Sequence, residues 1–174
     1  MSRTRFAKSF SSAVYNSKHR DMSIRTLHEL KAETPYGTCL MGLDLGSKTI
    51  GLAIADPAGI IASPLETIKR QKFTEDARAL IKIINARNVT GLVFGLPVSM
   101  DGTEGSRCQS TRQFAANFLE RRDIGIAFWD ERLSTSAVEK FLIGEADMTR
   151  KRRGEVIDKM AAAYILQGAL DLFA

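Results

Sequence analysis

The sequence predicts an α/β protein: a mixed sheet of about five strands, part antiparallel and part parallel, with helices on both faces. Three observations carry this. Two apolar runs of strand length within residues 39–56 flank the short turn Gly46-Ser47-Lys48-Thr49 and read as a hairpin. Helical and strand-length patterns then alternate from residue 74 to residue 130. A final amphipathic stripe closes the chain.

The elements follow in order. Residues 23–33 have the pattern of a short helix with Leu27 and Leu30 inward, broken by Thr34-Pro35-Tyr36-Gly37. After the hairpin, residues 59–68 form a third strand, which Pro64 makes an edge strand or a bulged one. Thr74 is placed as an N-cap, with Glu75 and Asp76 in the first turn complementing the helix dipole. Ala77, Leu80, Ile81 and Ile84 repeat at i, i+3, i+4 and i+7. Residues 91–96 are a short apolar run suited to a strand buried on both faces, followed by the loop 97–105. A helix over 106–120 buries Thr111, Phe114, Ala115 and Phe118, and residues 124–129 form the next strand. Ser136 with Glu139 fits a capping box for a short helix ended by Gly144. Residues 145–154 read as a polar loop, and the last helix runs from Glu155 to about Leu172 with Ile157, Ala161, Tyr164, Ile165 and Gly168 on one stripe.

The 174 residues, 44% apolar and 26% charged, suit one domain with a proper core. No apolar run is long enough for a membrane helix. Cys39 and Cys108 lack metal-ligand spacing and read as free thiols in a reducing cytoplasm. The net charge of +5 is uneven: residues 1–38 hold 7 Lys/Arg against 3 Asp/Glu, and the remainder holds 18 against 17. Residues 1–37 are therefore a basic, flexible leader with room for one short helix, and 38–174 the folded domain. The leader's first twenty residues, rich in Arg, Lys, Ser and Thr and free of acids, read as an organellar transit peptide, as a plain disordered extension, or as sequence ahead of a start at Met22. Nucleic-acid affinity in the domain must come from local patches.

Both histidines, His19 and His28, precede the domain. Serine–histidine and cysteine–histidine mechanisms and His-ligated zinc drop out unless the leader reaches back. Carboxylates are left. Asp44 interrupts an apolar strand, where a charge is costly without a cation or strong donors. Asp130 and Glu131 follow a strand end, and Asp158 lies early in the last helix. Each has an ordinary reading as a turn cap, a pair with Arg132, or a dipole-favouring acid. Converging, they would repel unless divalent metal held them, and hard oxygen ligands suit Mg²⁺ or Mn²⁺. Two such ions can activate water for phosphodiester cleavage. The run Arg150, Lys151, Arg152 and Arg153 is by default a solvated charge run and, beside such a site, a phosphate grip.

These residues together resemble the YqgF family of RNase H-like proteins, relatives of the RuvC Holliday-junction resolvases. The matching pieces are residues 42–51 around Asp44, Gly95-Leu96-Pro97 with Met100-Asp101-Gly102-Thr103, Asp130-Glu131-Arg132-Leu133-Ser134-Thr135, and Ile157-Asp158-Lys159-Met160-Ala161-Ala162. The resemblance spans about residues 38–174. It implies an RNase H-like sheet and a metal-dependent nuclease for structured nucleic acid, acting on the 5′ end of precursor small-subunit ribosomal RNA or on branched DNA, with the ribosome as a further partner and a monomer or homodimer as the acting form. Asp44, Glu131 and Asp158 become the catalytic acids, holding Mg²⁺ or Mn²⁺ as two ions, and Asp130 the reserve for Glu131. Asp101 stands where a fourth acid would be sought, displaced from the strand end. Lys48, Arg132, Arg150, Lys151, Arg152 and Arg153 are candidate phosphate contacts. Two other classes share features of the sequence. An actin-like ATPase opens with an Asp-x-Gly hairpin but needs a second such domain, and a non-catalytic ribosome-associated RNA-binding factor would keep the fold alone.

Overall fold

A computed structural model of the chain describes residues 24–133 and 150–172. The capping box at Ser136 and the helix after it lie outside the described residues, as does the leader before residue 24. The elements run α1 (Leu27–Glu33), β1 (Cys39–Leu45), β2 (Thr49–Ala55), β3 (Ala62–Lys69), α2 (Phe73–Ala86), β4 (Val89–Leu96), α3 (Ser106–Leu119), β5 (Gly125–Asp130), a single 3-10 turn (Glu131–Leu133) and α4 (Arg150–Asp171). The sheet order is β3-β2-β1-β4-β5, with β1–β2 and β2–β3 antiparallel and β1–β4 and β4–β5 parallel. This is the mixed five-stranded sheet that the sequence predicts. Pro64, which has no N–H to give a ladder, sits on the edge strand, beside a register shift in the β2–β3 pairing.

Alternation along β1 divides the core. Met41, Leu43 and Leu45 face α2 and α3, where they join Leu80, Ile84, Phe94, Phe114 and Phe118. Leu40 faces the other way, into a cluster built with Val93, Trp129, Ala162, Ile165 and Leu166. Burial of each large aliphatic side chain in these layers contributes about 1.5–3 kcal/mol. Asp44, even-numbered like Leu40, is on the α4 side.

Several boundaries differ from the sequence expectation. α1 starts later than residue 23, at a capping box in which Thr26 Oγ1 accepts from Glu29 N–H and the Glu29 carboxylate accepts from Thr26 N–H. Leu30 is buried under β4 and β5, and Ile24 bridges Ile126, so Ile24 and α1 pack on the sheet. α2 begins at Phe73 with Lys72, not Thr74, as its N-cap. The buried Asp76 carboxylate accepts from Gln71 N–H at 2.9 Å and pulls the chain into the helix early. Asn88, with φ 53°, turns the chain from α2 into a β4 that starts two residues sooner than expected. α4 starts at Arg150, five residues before Glu155, so the basic run forms its first turn and not a loop. Lys and Arg favour helix strongly enough to carry Gly154, whose cost is about 1 kcal/mol.

The line of α4 that meets the sheet is Asp158, Ala162, Ile165 and Ala169, while Ala161 and Tyr164 are only half-buried. Glycines on the strands set that line. A Cβ on Gly42 would lie 2.7 Å from Ala162 O, and one on Gly51 would overlap the Asp158 carbonyl. The helix backbone therefore rests on the strands with no side chain between. Gly51→Ala forces the two apart; we expect a loss of about 1–3 kcal/mol in urea unfolding, as for other overpacked cores. An unchanged midpoint would show that α4 is not seated on β2.

Candidate active site

Asp44 pairs across the antiparallel ladder with Gly51. On its other side, one residue beyond the Leu43–Phe94 pair, stands Gly95. A Cβ on Gly95 would meet Glu131 Oε1 at 2.5 Å. Asp44 is thus in a row between two bare positions, with the Asp158 backbone above one and the Glu131 carboxylate above the other. The sequence pattern left Asp130 and Glu131 interchangeable; the 3-10 turn that begins at Glu131 separates them. Glu131 turns over β4 toward Asp44. Asp130 accepts from Arg132 Nε and Nη2, at 3.0 and 2.6 Å to Oδ2, and from Arg132 N–H.

Burial and mutual repulsion shape the carboxyls. Asp44 is pushed up to about 6, first by desolvation and then by Asp158. Glu131 is pushed up to about 7, first by desolvation and then by Asp44. The Arg107 guanidinium, at the start of α3, pulls both the other way. Asp158 Oδ2 accepts from Thr49 Oγ1 at 2.6 Å, which fixes its rotamer from β2. Asp130 is held below the usual carboxylate range by the hydrogen bond from Arg132. Asp101, also held low, accepts from the hydroxyl and N–H of Thr103 and closes its own exposed loop.

An open groove of about 820 Å³ leads away from Asp158, lined by Lys48, Thr49, Arg70, Ser106, Arg107 and Ser110 among others. Arg70 is set in its wall from two sides: Nη1 donates to Gly46 O at 2.9 Å, and Nε faces the buried Asp76 carboxylate at 3.6 Å. Sequence reasoning found Lys48 but not Arg70, Arg107 or Thr49. Asp76 had passed as a first-turn acid. Arg132, a candidate phosphate contact, is engaged with Asp130 next to Gly102 of the loop before α3, and does not line the groove. The backbones of Arg150, Lys151, Arg152 and Arg153 form the α4 start, and their side chains lie outside the described residues.

Among the described residues no three His, Cys, Asp or Glu side chains form a ready metal-binding group. The carboxylates are coupled in pairs through Asp44. Their chemistry nonetheless fits a hard divalent cation, which would relieve the repulsion that burial intensifies.

A family model described as RuvX, Holliday junction resolvase, matches residues 38–172. The chain belongs to this nuclease family, the RuvX or YqgF proteins. A Phenylobacterium zucineum protein named "Putative pre-16S rRNA nuclease" is 60% identical over 151 residues, 86% of this chain and 97% of that one. A Rhodospirillum centenum protein of the same name is 63% identical over 155 residues, covering 86% and 82%. Among solved structures, Thermus thermophilus RuvC in complex with a Holliday junction substrate aligns with a TM-score of 0.50 at 11% identity, over 79% of this chain and 96% of that one. That likeness gives the fold: RNase H-like.

The raised carboxyls carry a sign. Between about pH 4 and about pH 7 the folded chain holds more protons on Asp44 and Glu131 than the unfolded chain, so these groups make stability fall as pH rises through that window. Asp44→Asn removes one of the opposing charges. In EDTA we expect its thermal midpoint to exceed the parent's by roughly 3 °C near about pH 8 and by less near about pH 5. A midpoint at or below the parent's at the higher pH would contradict the repulsion.

Proposed function

We propose that the chain is a metal-dependent endonuclease of the cytoplasm that trims the 5′ end of precursor 16S ribosomal RNA. The observation that supports it best is the approach of Glu131 and of Asp158, from two distant segments, to the buried Asp44, with Asp158 at the head of a basic groove. The names of the relatives at 60% and 63% identity point the same way. In this reading Asp44, Glu131 and Asp158 hold Mg²⁺ or Mn²⁺, as two ions. Bound ions of that kind supply an activated water and stabilise the leaving oxygen. The water oxygen bonds to phosphorus, the bond to one bridging oxygen breaks, and a strand end with a phosphate and another with a hydroxyl result.

The chain's own residues do the positioning. Thr49 orients the Asp158 carboxylate through its 2.6 Å hydrogen bond. Lys48, Arg70 and Arg107 offer cations to the phosphates leading into the site, and the hydroxyls of Ser106 and Ser110 offer donors. Arg132 and the basic first turn of α4, Arg150 to Arg153, stand as further backbone contacts. The family description favours a second substrate, the four-way DNA junction.

The test is cleavage of precursor ribosomal RNA and of four-way DNA junctions in Mg²⁺, Mn²⁺ or EDTA. Asp44→Asn and Asp158→Asn should each lower cleavage by about a thousandfold or more, in keeping with the loss of electrostatic stabilisation at a reacting phosphate, while retaining binding. Mn²⁺ should raise the parent's thermal midpoint, since a ligand held only by the folded state stabilises it, and should do so much less for Asp44→Asn. Binding of nucleic acid without cutting under every metal would instead identify a scaffold.

A further inference from the structure

We infer that the groove continues along α3 as a cleft for a single-stranded segment flanking the cut site, with bases against Phe73 and the amides of Gln109, Gln113 and Asn117. The inference rests on the nucleic-acid reading above. Beyond the basic groove lies a second hollow of about 490 Å³, which shares Arg70, Ser106 and Ser110 with the first and is otherwise lined by Phe73, Gln109, Gln113, Phe114 and Asn117. The two are one channel, and its character changes along the way: cations near the carboxylates, then amides and aromatic rings.

α3 buries Cys108, Thr111, Phe114, Ala115 and Phe118, so the stripe of Gln109, Gln113 and Asn117, each four residues from the last, is not needed for the core. A solvent-facing helix stripe is ordinarily charged or polar, and this one is made of amides alone. Neutral amides, each with a donor and an acceptor end, match the edges of unpaired bases. Gln113 Nε2 donates to Asn117 Oδ1 at 2.7 Å, which orients the pair. Beside them Phe73 is half-buried, edge-to-face on Phe114 with centroids 5.3 Å apart. Arg70, which lines both hollows, lies 5.7 Å over the Phe114 ring, and Arg121 lies 5.9 Å over the Phe73 ring, so a guanidinium stands against each ring. Rings and guanidinium planes of this kind stack with single-stranded bases, whereas the edges of paired RNA bases are withdrawn in a deep, narrow groove. From Ser106 to Asn117 the helix rises about 16 Å, room for about four stacked nucleotides.

The experiment compares fluorescent RNA duplexes that are blunt or carry a short single-stranded extension at either end, with matching DNA versions. Binding is read by anisotropy in EDTA and cleavage separately in Mg²⁺ or Mn²⁺. The parent should favour one extended duplex over the blunt one by about tenfold, the usual worth of a stacked base. In the triple variant Gln109→Ala, Gln113→Ala, Asn117→Ala, and in the single variant Gln113→Glu, that ratio should fall to near unity with the thermal midpoint held. A preference confined to RNA would add the 2′-hydroxyl to what is read, and an equal preference for DNA would assign recognition to the bases. A parent ratio near one, or variants that keep the parent's ratio, would overturn the cleft. Absence of cleavage by the parent in every metal would count against the nuclease alone, because the binding ratio decides the cleft independently.

Discussion

The structure depends on a helix laid on a sheet with nothing in between. Gly42, Gly51 and Gly95 occupy β1, β2 and β4 on the face that α4 covers, and atoms of Ala162, Leu166, Asp158 and Ile165 fill the space where their side chains would be. Apolar residues of the sheet-facing line, with Leu166 and Leu170 beside it, supply the attraction that keeps it there. The same seating brings a carboxylate down onto the row of another carboxylate. The cost of that approach is borne by the packed helix, not by any pairing of the acids themselves.

Placed this way, the acids draw on three different sources of rigidity. Asp44 is fixed by a central strand hydrogen-bonded on both sides. Asp158 is fixed by a long helix and by the Thr49 hydroxyl. Glu131 comes from a short 3-10 turn at the carboxyl end of the edge strand β5, where open α/β sheets place working groups. The groove wall has its own brace, since the buried Asp76 sets Arg70, and Arg70 in turn holds the hairpin turn at Gly46.

What the sequence made legible follows from how local each signal is. The 3.6-residue spacing of Thr111, Phe114, Ala115 and Phe118 marks the buried face of α3 directly, and all four are buried. Asp44 stood out because a lone charge in an apolar strand has no local excuse. Glu131 could not be told from Asp130, because the two-residue alternation of a strand stops at Asp130 and the 3-10 turn begins at Glu131. Arg107 looks like any helix residue; only the crossover that returns α3 to the sheet brings it to the acids. Asp76 sat in a first turn, where an acid is expected for another reason, which hid its burial. The early start of α4 is hidden because four successive basic residues carry no apolar stripe to mark a helix.

The two outer strands end the sheet differently. Along β3, a residue lacking a backbone donor and a displaced register leave an incomplete ladder for any incoming strand. Along β5, Ile24 and Arg25 have already taken up part of the rim, with Arg25 N–H donating to Ile126 O at 2.7 Å. Neither margin is a clean template for a neighbouring molecule, so the chain is guarded at both sides against growing into a continuous, self-propagating ribbon.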